Sequence, residues 1–352
     1  MNTRTLLLLI VVSVTTIFVI SGCKKDDVND SQNQNVELVE TDYPGIMMTL
    51  SAISYASDGF TETTIRSHIN ELLKDTDLAT AGNWKRVWGP GISPDSANLA
   101  FVAKVNTNPV SYAIVIRGTN PHSPAGIEQD LEALKLVPFQ GGETNDSIAH
   151  GAEAGMINIL NTTDALTKRS LEWFLDSIPS VSKIPLFVTG HSQGGYLAPI
   201  MAYWVMKSQN FNNKFTVRTY TYAGPTVWNS GFVQNFKTSL TQNGGSINMY
   251  VNSLDVIPYF WYNIPGIEQN HIPVTVPEEI SLGYNVSESI LKDNKIKYHQ
   301  LTDTISIGSI AIDTTEHPQT SADSTAWYKK WVAVEHNHNN YLKLLGEKQV
   351  NF

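Results

Sequence analysis

A serine between two glycines is the residue of this sequence best suited to covalent chemistry. Residues 190–194 read Gly-His-Ser-Gln-Gly, a G-x-S-x-G motif that follows the apolar run 184–188 and precedes the helical pattern 194–207. On a tight strand-to-helix turn the hydroxyl of Ser192 would project above the sheet, and the flanking glycines would avoid Cβ clashes. The helix start would direct N–H groups toward a developing oxyanion. The motif predicts a nucleophile, with a glycine-rich turn and a capping serine as the structural alternative.

A nucleophilic serine needs a base that takes its proton and an acid that orients the base. After this kind of turn the order along the chain is serine, acid, histidine. Asp255 follows the strand-like run 247–251, where a loop carboxylate can reach a histidine, although an aspartate before Val-Ile-Pro is also typical of a turn. His336 and His338 come later, and they are either candidates for the base or solvated histidines of a polar loop.

The apolar patterns place these residues at the ends of strands. Strand-like runs at 184–188, 215–222 and 247–251 alternate with helical patterns, and this order predicts parallel βαβ units. Residues 99–105 and 112–116 predict a hairpin, and residues 46–73 predict helix with a break at 57–59. We therefore expect an α/β fold with a mostly parallel central sheet flanked by helices. Such sheets bind ligands at the carboxyl ends of their strands.

Six motifs, taken together and in this order, resemble the class 3 lipases, the family that includes the filamentous-fungal triacylglycerol lipases. They are Arg117-Gly118-Thr119, His150-Gly151, the Ser192 motif, Tyr222-Ala223-Gly224-Pro225, Asn252 to Pro258, and Glu335-His336 with Tyr341-Leu342. The resemblance runs from about Thr49 to Leu345. It implies the α/β-hydrolase fold and a serine carboxylic-ester hydrolase that acts on lipid or small acyl esters through an acyl-enzyme. Two departures, Ala152 for the usual Phe and residues 226–229, could reshape an acyl pocket.

The resemblance also implies roles for individual residues. Asp255 would be the acid, and Thr119 would join the backbone of Gln193 in the oxyanion hole. His336 would be the base, because its distance from Tyr341 matches the Asp/Glu-His-x-x-x-Asn-Tyr-Leu form of bacterial relatives, whereas His338 matches the fungal spacing. We expect no cofactor and no metal, since Glu335 and the two histidines lack further ligands at a recognisable spacing. His191 is expected to pack, because the turn aims its side chain away from the serine hydroxyl.

Two further segments bear on the substrate. Ile127, Leu131 and Leu134 lie three to four apart within residues 121–138, which is typical of an amphipathic helix. Class 3 lipases carry a mobile lid here, and an ordinary surface helix with its apolar side in the core is equally consistent. The aromatic run 259–262 cannot all face the core, so part of it is expected to line the cleft or touch membrane. Residues 264–330 give no clear pattern and could be an insertion that narrows the site.

The amino terminus is predicted to target the chain. Arg4, the apolar run 6–20 and the sequence Ile-Ser-Gly-Cys at 20–23 resemble a bacterial lipoprotein leader. This predicts a signal peptide at 1–22, a lipid-modified Cys23, a flexible tether at 23–37 and a hydrolase domain at 38–352. The protein would then be anchored in the bacterial outer membrane or at the cell surface. An uncleaved anchor helix and an ordinary signal peptide are the alternatives.

Composition excludes other classes of protein. The 352 residues carry a net charge of −9 and no Lys/Arg-rich block, which argues against nucleic acid as a partner. The apolar fraction of 41% is that of a globular chain, and a single cysteine excludes an intramolecular disulfide. Two rivals to the ester hydrolase remain: a peptidase or acyltransferase with the same triad, and a non-catalytic surface-binding lipoprotein.

Overall fold

The computed structural model describes residues 40–56, 61–269, 275–310 and 321–352. The predicted signal peptide, Cys23, the tether and the helix break at 57–59 lie outside the described residues. Among the residues described, no helix is long and apolar enough to cross a bilayer.

A seven-stranded sheet forms the centre of the described chain, in the order β1-β2-β3-β6-β7-β8-β9. Its strands are β1 (Trp84–Ile92), β2 (Leu99–Val105), β3 (Ser111–Ile116), β6 (Ile184–His191), β7 (Phe215–Tyr222), β8 (Ser246–Val251) and β9 (Ile305–Ser306). The first three strands pair antiparallel, and every pair from β3 to β9 is parallel. The prediction of a mostly parallel sheet is confirmed. Two short strands, β4 (Leu136–Pro138) and β5 (Ser147–Ala149), form a separate antiparallel pair.

Eleven α-helices are described around the sheet. They are α1 (Tyr43–Ile53), α2 (Glu62–Leu72), α3 (Pro124–Leu131), α4 (His150–Asn161), α5 (Leu171–Ser177), α6 (Gln193–Lys207), α7 (Ser230–Asn243), α8 (Ile264–Gln269), α9 (Glu278–Asp293), α10 (Ser321–Glu335) and α11 (His338–Leu344). Single 3₁₀ turns occur at Glu40–Asp42, Glu132–Leu134 and Ile257–Tyr259.

Helices cover both faces of the sheet, so its central strands are buried on both sides. Along β3, Ile114 and Ile116 pack into one apolar core with α4 and α6, whereas Ala113 and Val115 pack into a second core with α1. All six residues of β3 are buried. A strand buried on both faces needs a continuous apolar run instead of an alternating one, which is why the sequence shows such a run here.

Strand β1 is present in the structure but was not predicted from the sequence. Its sequence contains Pro90 between two glycines, a combination that argues against a strand interior. The strand lies at the edge of the sheet and pairs with β2 alone, where proline is tolerated because one side of the strand needs no ladder hydrogen bonds. The pairing register shifts at this point, between Trp88 and Gly91.

The segment without a clear sequence pattern forms helices α8, α9 and α10, which we call the cap together with the described residues that connect them. Buried residues of the cap, such as Ile267, Tyr284 and Trp331, belong to the same apolar core as Trp228 and Phe260. The cap is therefore packed against the core on this face of the sheet as part of the same unit.

Candidate active site

Ser192 lies on a strained turn between β6 and α6. Its backbone has φ 59° and ψ −122°, an unusual conformation for a residue with a side chain. A Cβ on Gly190 would lie 2.3 Å from the carbonyl oxygen of Gly194, and a Cβ on Gly194 would lie 2.2 Å from the carbonyl oxygen of Ile116. Both glycines are therefore required by the close approach of backbone to backbone.

The Gly194→Ala variant tests this packing. The added methyl group meets backbone of β3 that cannot rotate away, so we expect a loss of about 3 kcal/mol in the free energy of unfolding. Gly126→Ala is the matched control, because its Cβ would have its nearest neighbour at 3.5 Å and alanine favours the helix. Thermal unfolding should show a fall in Tm of about 5–10 °C for the first and none for the second. Equal Tm values would contradict the close approach.

Ser192, His336 and Asp255 form one hydrogen-bonded line. The distance from His336 Nε2 to Ser192 Oγ is 2.8 Å, and that from His336 Nδ1 to Asp255 Oδ2 is 2.8 Å. Asp255 is 0% exposed and His336 is 9% exposed. A proton on Nδ1 that is donated to the carboxylate leaves Nε2 free to accept from the serine hydroxyl, so the bonding pattern assigns the tautomer.

Both oxygens of the Asp255 carboxylate accept hydrogen bonds from neighbouring residues. Oδ1 accepts from the backbone N–H of Ile257 at 2.9 Å, and Oδ2 accepts from the hydroxyl of Tyr341 at 2.8 Å. The Tyr341 hydroxyl in turn accepts from the N–H of Asn252 at 3.0 Å. These bonds fix the plane of the carboxylate and thereby the orientation of the imidazole that donates to it.

Glu335 ties the loop of Asp255 to the helix that ends before His336. The side-chain N–H₂ of Asn252 donates to Glu335 Oε2 at 2.5 Å and to the Glu335 carbonyl at 2.8 Å. Burial raises the pKa of Glu335 above its ordinary value, against the opposing effect of this hydrogen bond. The sequence analysis assigned no role to Asn252 beyond the motif that contains it.

The other two histidines near the serine are packing residues. His338 is buried and stacks on Tyr55, with ring centroids 4.6 Å apart and an angle of 9° between the planes. Burial, together with the nearby His336, lowers the pKa of His338 to about 4. His191 Nδ1 is bonded to the Tyr55 hydroxyl at 2.9 Å, and burial likewise lowers the pKa of His191. The expectation that His191 packs agrees with this geometry.

The two residues predicted for the oxyanion hole lie beside the triad. Thr119 follows β3, Gln193 opens α6, and both line the same cavity as Ser192 and His336. The N–H of Gln193 is one of the first N–H groups of its helix, which have no partner within the helix. Backbone donors of this kind can bind an oxyanion without reorganisation.

Asp130 is a site residue that the sequence analysis missed. Its Oδ2 accepts from the Thr119 hydroxyl at 2.7 Å, and its Oδ1 accepts from Gln193 Nε2 at 3.2 Å and from the Tyr196 hydroxyl at 3.1 Å. Burial raises the pKa of Asp130 to about 6, although all three bonds oppose the rise. One carboxylate thus links both residues expected to form the oxyanion hole.

Helix α3 forms within the predicted segment, but its apolar residues do not face the core as those of an ordinary surface helix would. Its buried residues are Gly126 and Gln129, whereas Ile127 and Leu131 are half-buried and line a separate outer groove. Leu134 follows the helix, borders the same groove and also packs against the core. The inner face is therefore polar. This polar face contacts the amide side chains of Asn98 and Gln193, which need hydrogen-bond partners, and Ile127 and Leu131 therefore lie on the opposite face of the helix.

An amide network provides those polar partners. Asn98 and Gln129 exchange two hydrogen bonds of 3.1 Å, and Asn98 Nδ2 also donates to Gln193 Oε1 at 3.2 Å. Gln193 Nε2 donates to the carbonyl of Gly126 at 3.2 Å. Helix α3 is thus hydrogen-bonded to the turn that carries Ser192.

The cavity beside Ser192 continues into the apolar core. It has a volume of about 120 Å³, and its walls include Phe260 and Trp261. The expectation that part of the aromatic run 259–262 lines the cleft agrees with this position. Tyr259 and Tyr262 stack on each other instead, with centroids 6.5 Å apart.

Residues 113–263, which include Ser192 and Asp255, match the protein family described as Lipase (class 3). No curated protein matches the chain. Among solved structures, M37 lipase is 19% identical, with a TM-score of 0.66 and coverage of 86% of this chain and 97% of its own. This similarity shows that the chain has the α/β-hydrolase fold.

Two fungal structures are more distant. A triacylglycerol lipase from Penicillium expansum is 16% identical, with a TM-score of 0.45 and coverage of 65% of this chain and 75% of its own. Lipase II from Rhizopus niveus is 18% identical, with a TM-score of 0.43 and coverage of 62% and 72%.

Proposed function

We propose that this protein is a serine hydrolase of the class 3 lipase family that cleaves carboxylic esters of lipids or simpler acyl esters. The observation that carries the proposal is the hydrogen-bonded line from Asp255 through His336 to Ser192, which ends at an apolar cavity. The family match over residues 113–263 supports the same class of enzyme.

The geometry supports a two-step reaction. His336 Nε2 takes the proton as Ser192 Oγ attacks the ester carbonyl carbon, and the carbonyl oxygen becomes an oxyanion facing the N–H groups of Thr119 and Gln193. The imidazolium gives this proton to the leaving alcohol, which leaves an acyl-enzyme. Water then attacks the acyl carbon with His336 as base, and the serine is restored as the carboxylic acid departs. The carboxylate of Asp255 accepts the hydrogen bond from Nδ1 and stabilises the imidazolium.

The cavity favours an acyl ester over a peptide. Its walls beside the serine include Val227, Phe260 and Trp261, which suit a hydrocarbon chain. A peptide backbone would bring amide groups into this space, and buried amides without hydrogen-bond partners are unfavourable by roughly 1–3 kcal/mol each. A peptidase with the same triad is therefore the weaker candidate.

A fluorophosphonate probe, with an ester panel and a peptide panel, tests the proposal. We expect Ser192 to be labelled and esters to be hydrolysed, with both signals lost in Ser192→Ala. Ser230→Ala, an exposed serine at the start of α7, is the matched control and should behave as the wild type. A folded wild type that neither reacts with the probe nor cleaves any ester would support the non-catalytic binder. Cleavage of peptides alone would support the peptidase.

A further inference from the structure

We propose that the site selects esters of short acyl chains, of about four to eight carbons, because the apolar arm of its cavity, the end lined by alanines, is small. This proposal rests on the proposed ester hydrolase function and specifies its substrate class.

The arm is an internal space lined by small side chains. Ala133, Ala149 and Ala152 contribute to its walls, and each is 1% exposed. Val227 is another wall residue and is 2% exposed. Residues that line a cavity and yet have almost no solvent contact border a narrow interior space. An acyl chain that extends from Ser192 in this direction enters the protein core.

The volume sets the length of chain that fits. The whole cavity measures about 120 Å³. An engineered apolar cavity of about 150 Å³ in another protein accepts benzene, a molecule of six carbons. By this comparison the cavity holds an acyl chain of about six carbons, and a much longer chain has no space along the same direction.

The cap is hydrogen-bonded at two points to backbone beside the arm. The Tyr298 hydroxyl donates to the carbonyl of Ala133, and the N–H of His299 donates to the carbonyl of Trp228 at 3.0 Å. Tyr284 of α9 packs edge-on against Phe260, with centroids 5.6 Å apart. Ala133 and Phe260 line the cavity, and Trp228 adjoins the wall residue Val227, so a chain that extended past these walls would have to displace the cap contacts.

The first experiment measures kcat/KM for p-nitrophenyl esters from two to sixteen carbons. We expect a rise of about tenfold for each methylene that still finds space, a maximum near six carbons, and a fall of at least about 100-fold by twelve. A profile that stays level or rises to twelve or more carbons would overturn the chain-length proposal. It would leave the ester hydrolase standing, because Ser192→Ala separates that activity from background.

Wall variants give the second test. Ala152→Leu fills the arm and should lower kcat/KM for the hexanoate by about 100-fold while the acetate stays within about threefold. Ala154→Leu makes the same change on a half-exposed position of α4 away from the cavity, and it should leave the profile unchanged. Equal profiles for the two variants would contradict the assignment of the wall.

Val227→Ala provides a test that does not depend on tolerance of a larger side chain. It enlarges the arm and should move the optimum toward longer chains by about two carbons. Retained labelling by the fluorophosphonate probe shows that each variant has folded with a competent triad. An optimum that stays in place in the labelled variant would count against the proposal.

Discussion

Replacing His336 by alanine is expected to lower kcat by about 10⁴- to 10⁶-fold, because this removes the imidazole that takes the serine proton. Its Nε2 lies 2.8 Å from Ser192 Oγ and its Nδ1 lies 2.8 Å from Asp255. Ser192→Ala should cause a loss of similar size. The double variant should lose little more than either single variant, since residues that act as a unit have non-additive effects.

His338→Ala is the matched control, because it makes the same substitution two positions along the chain. The His338 ring is stacked on Tyr55 and removed from the triad line, so we expect kcat within about tenfold of the wild type. The Tm should fall, because a buried stacking partner is lost. Steady-state kinetics on a short p-nitrophenyl ester, with circular dichroism to verify folding, checks both variants. A large loss of kcat in the folded His338 variant alone would transfer the role of base to His338.

The Asp130→Asn variant is expected to lose activity and gain stability at neutral pH. An amide N–H₂ in place of one carboxylate oxygen faces the donors of Thr119 or Gln193, so the residues of the oxyanion hole lose their shared acceptor. We expect kcat to fall by about 100-fold, the scale of one lost oxyanion contact. Asp130 acts here as a positioning residue, and its loss should change kcat more than KM.

The gain in stability follows from the raised pKa of Asp130, which is about 6 in the fold against an ordinary value of 3.8. The fold favours the neutral acid, so the stability that this group contributes is fully present below pH 3.8 and is lost as pH rises through about 6. Asparagine does not titrate. The Tm of the variant relative to the wild type should therefore increase from pH 4.5 to pH 7.5.

Thermal unfolding at the two pH values measures this difference. Glu172→Gln, at an exposed position of α5, removes a carboxylate of the surface and should change neither kcat nor the pH dependence of Tm. A Tm difference that shrinks as pH rises would mean that the fold favours the charged carboxylate of Asp130, contrary to the expected direction. Unchanged kcat in Asp130→Asn would remove its positioning role.

The elements around the serine were predictable because their signals are local. The apolar run of β6, the glycines at 190 and 194 and the helical pattern of α6 adjoin one another in the sequence, and each describes its own conformation. Strand β7 was likewise predicted with its observed bounds, Phe215–Tyr222, since alternating Thr, Val and Tyr fit a strand.

The orientation of α3 was not predictable from its own pattern. An amphipathic pattern shows which residues share a face, and the usual rule places the apolar face inside. Here the inner face is defined by partners remote in sequence, Asn98 and Gln193, whose amides need hydrogen bonds. The role of Asp130 was missed for the same reason, because its partners Gln193 and Tyr196 are 63 and 66 residues away in the sequence.

The choice between the two late histidines also needed the three-dimensional structure. They are two positions apart, and spacing to Tyr341 fits either one. His336 directly follows α10, whereas Asn337 caps the next helix and His338 is its first residue. A change of helix between the two residues sends their side chains in different directions, and no count along the sequence reports it.

The cap has two roles, because it packs beside the cavity and its last helix, α10, also positions His336. Tyr298 and His299 bond to backbone beside the arm, Ala333 of α10 lines the cavity, and α10 ends directly before the imidazole. Substitutions in this part of the cap that changed the size of the pocket would also risk displacing His336. Substitutions on the opposite wall, at Ala149 or Ala152, carry no such linkage. Divergence in acyl preference among descendants of this protein should therefore accumulate on the alanine side of the pocket.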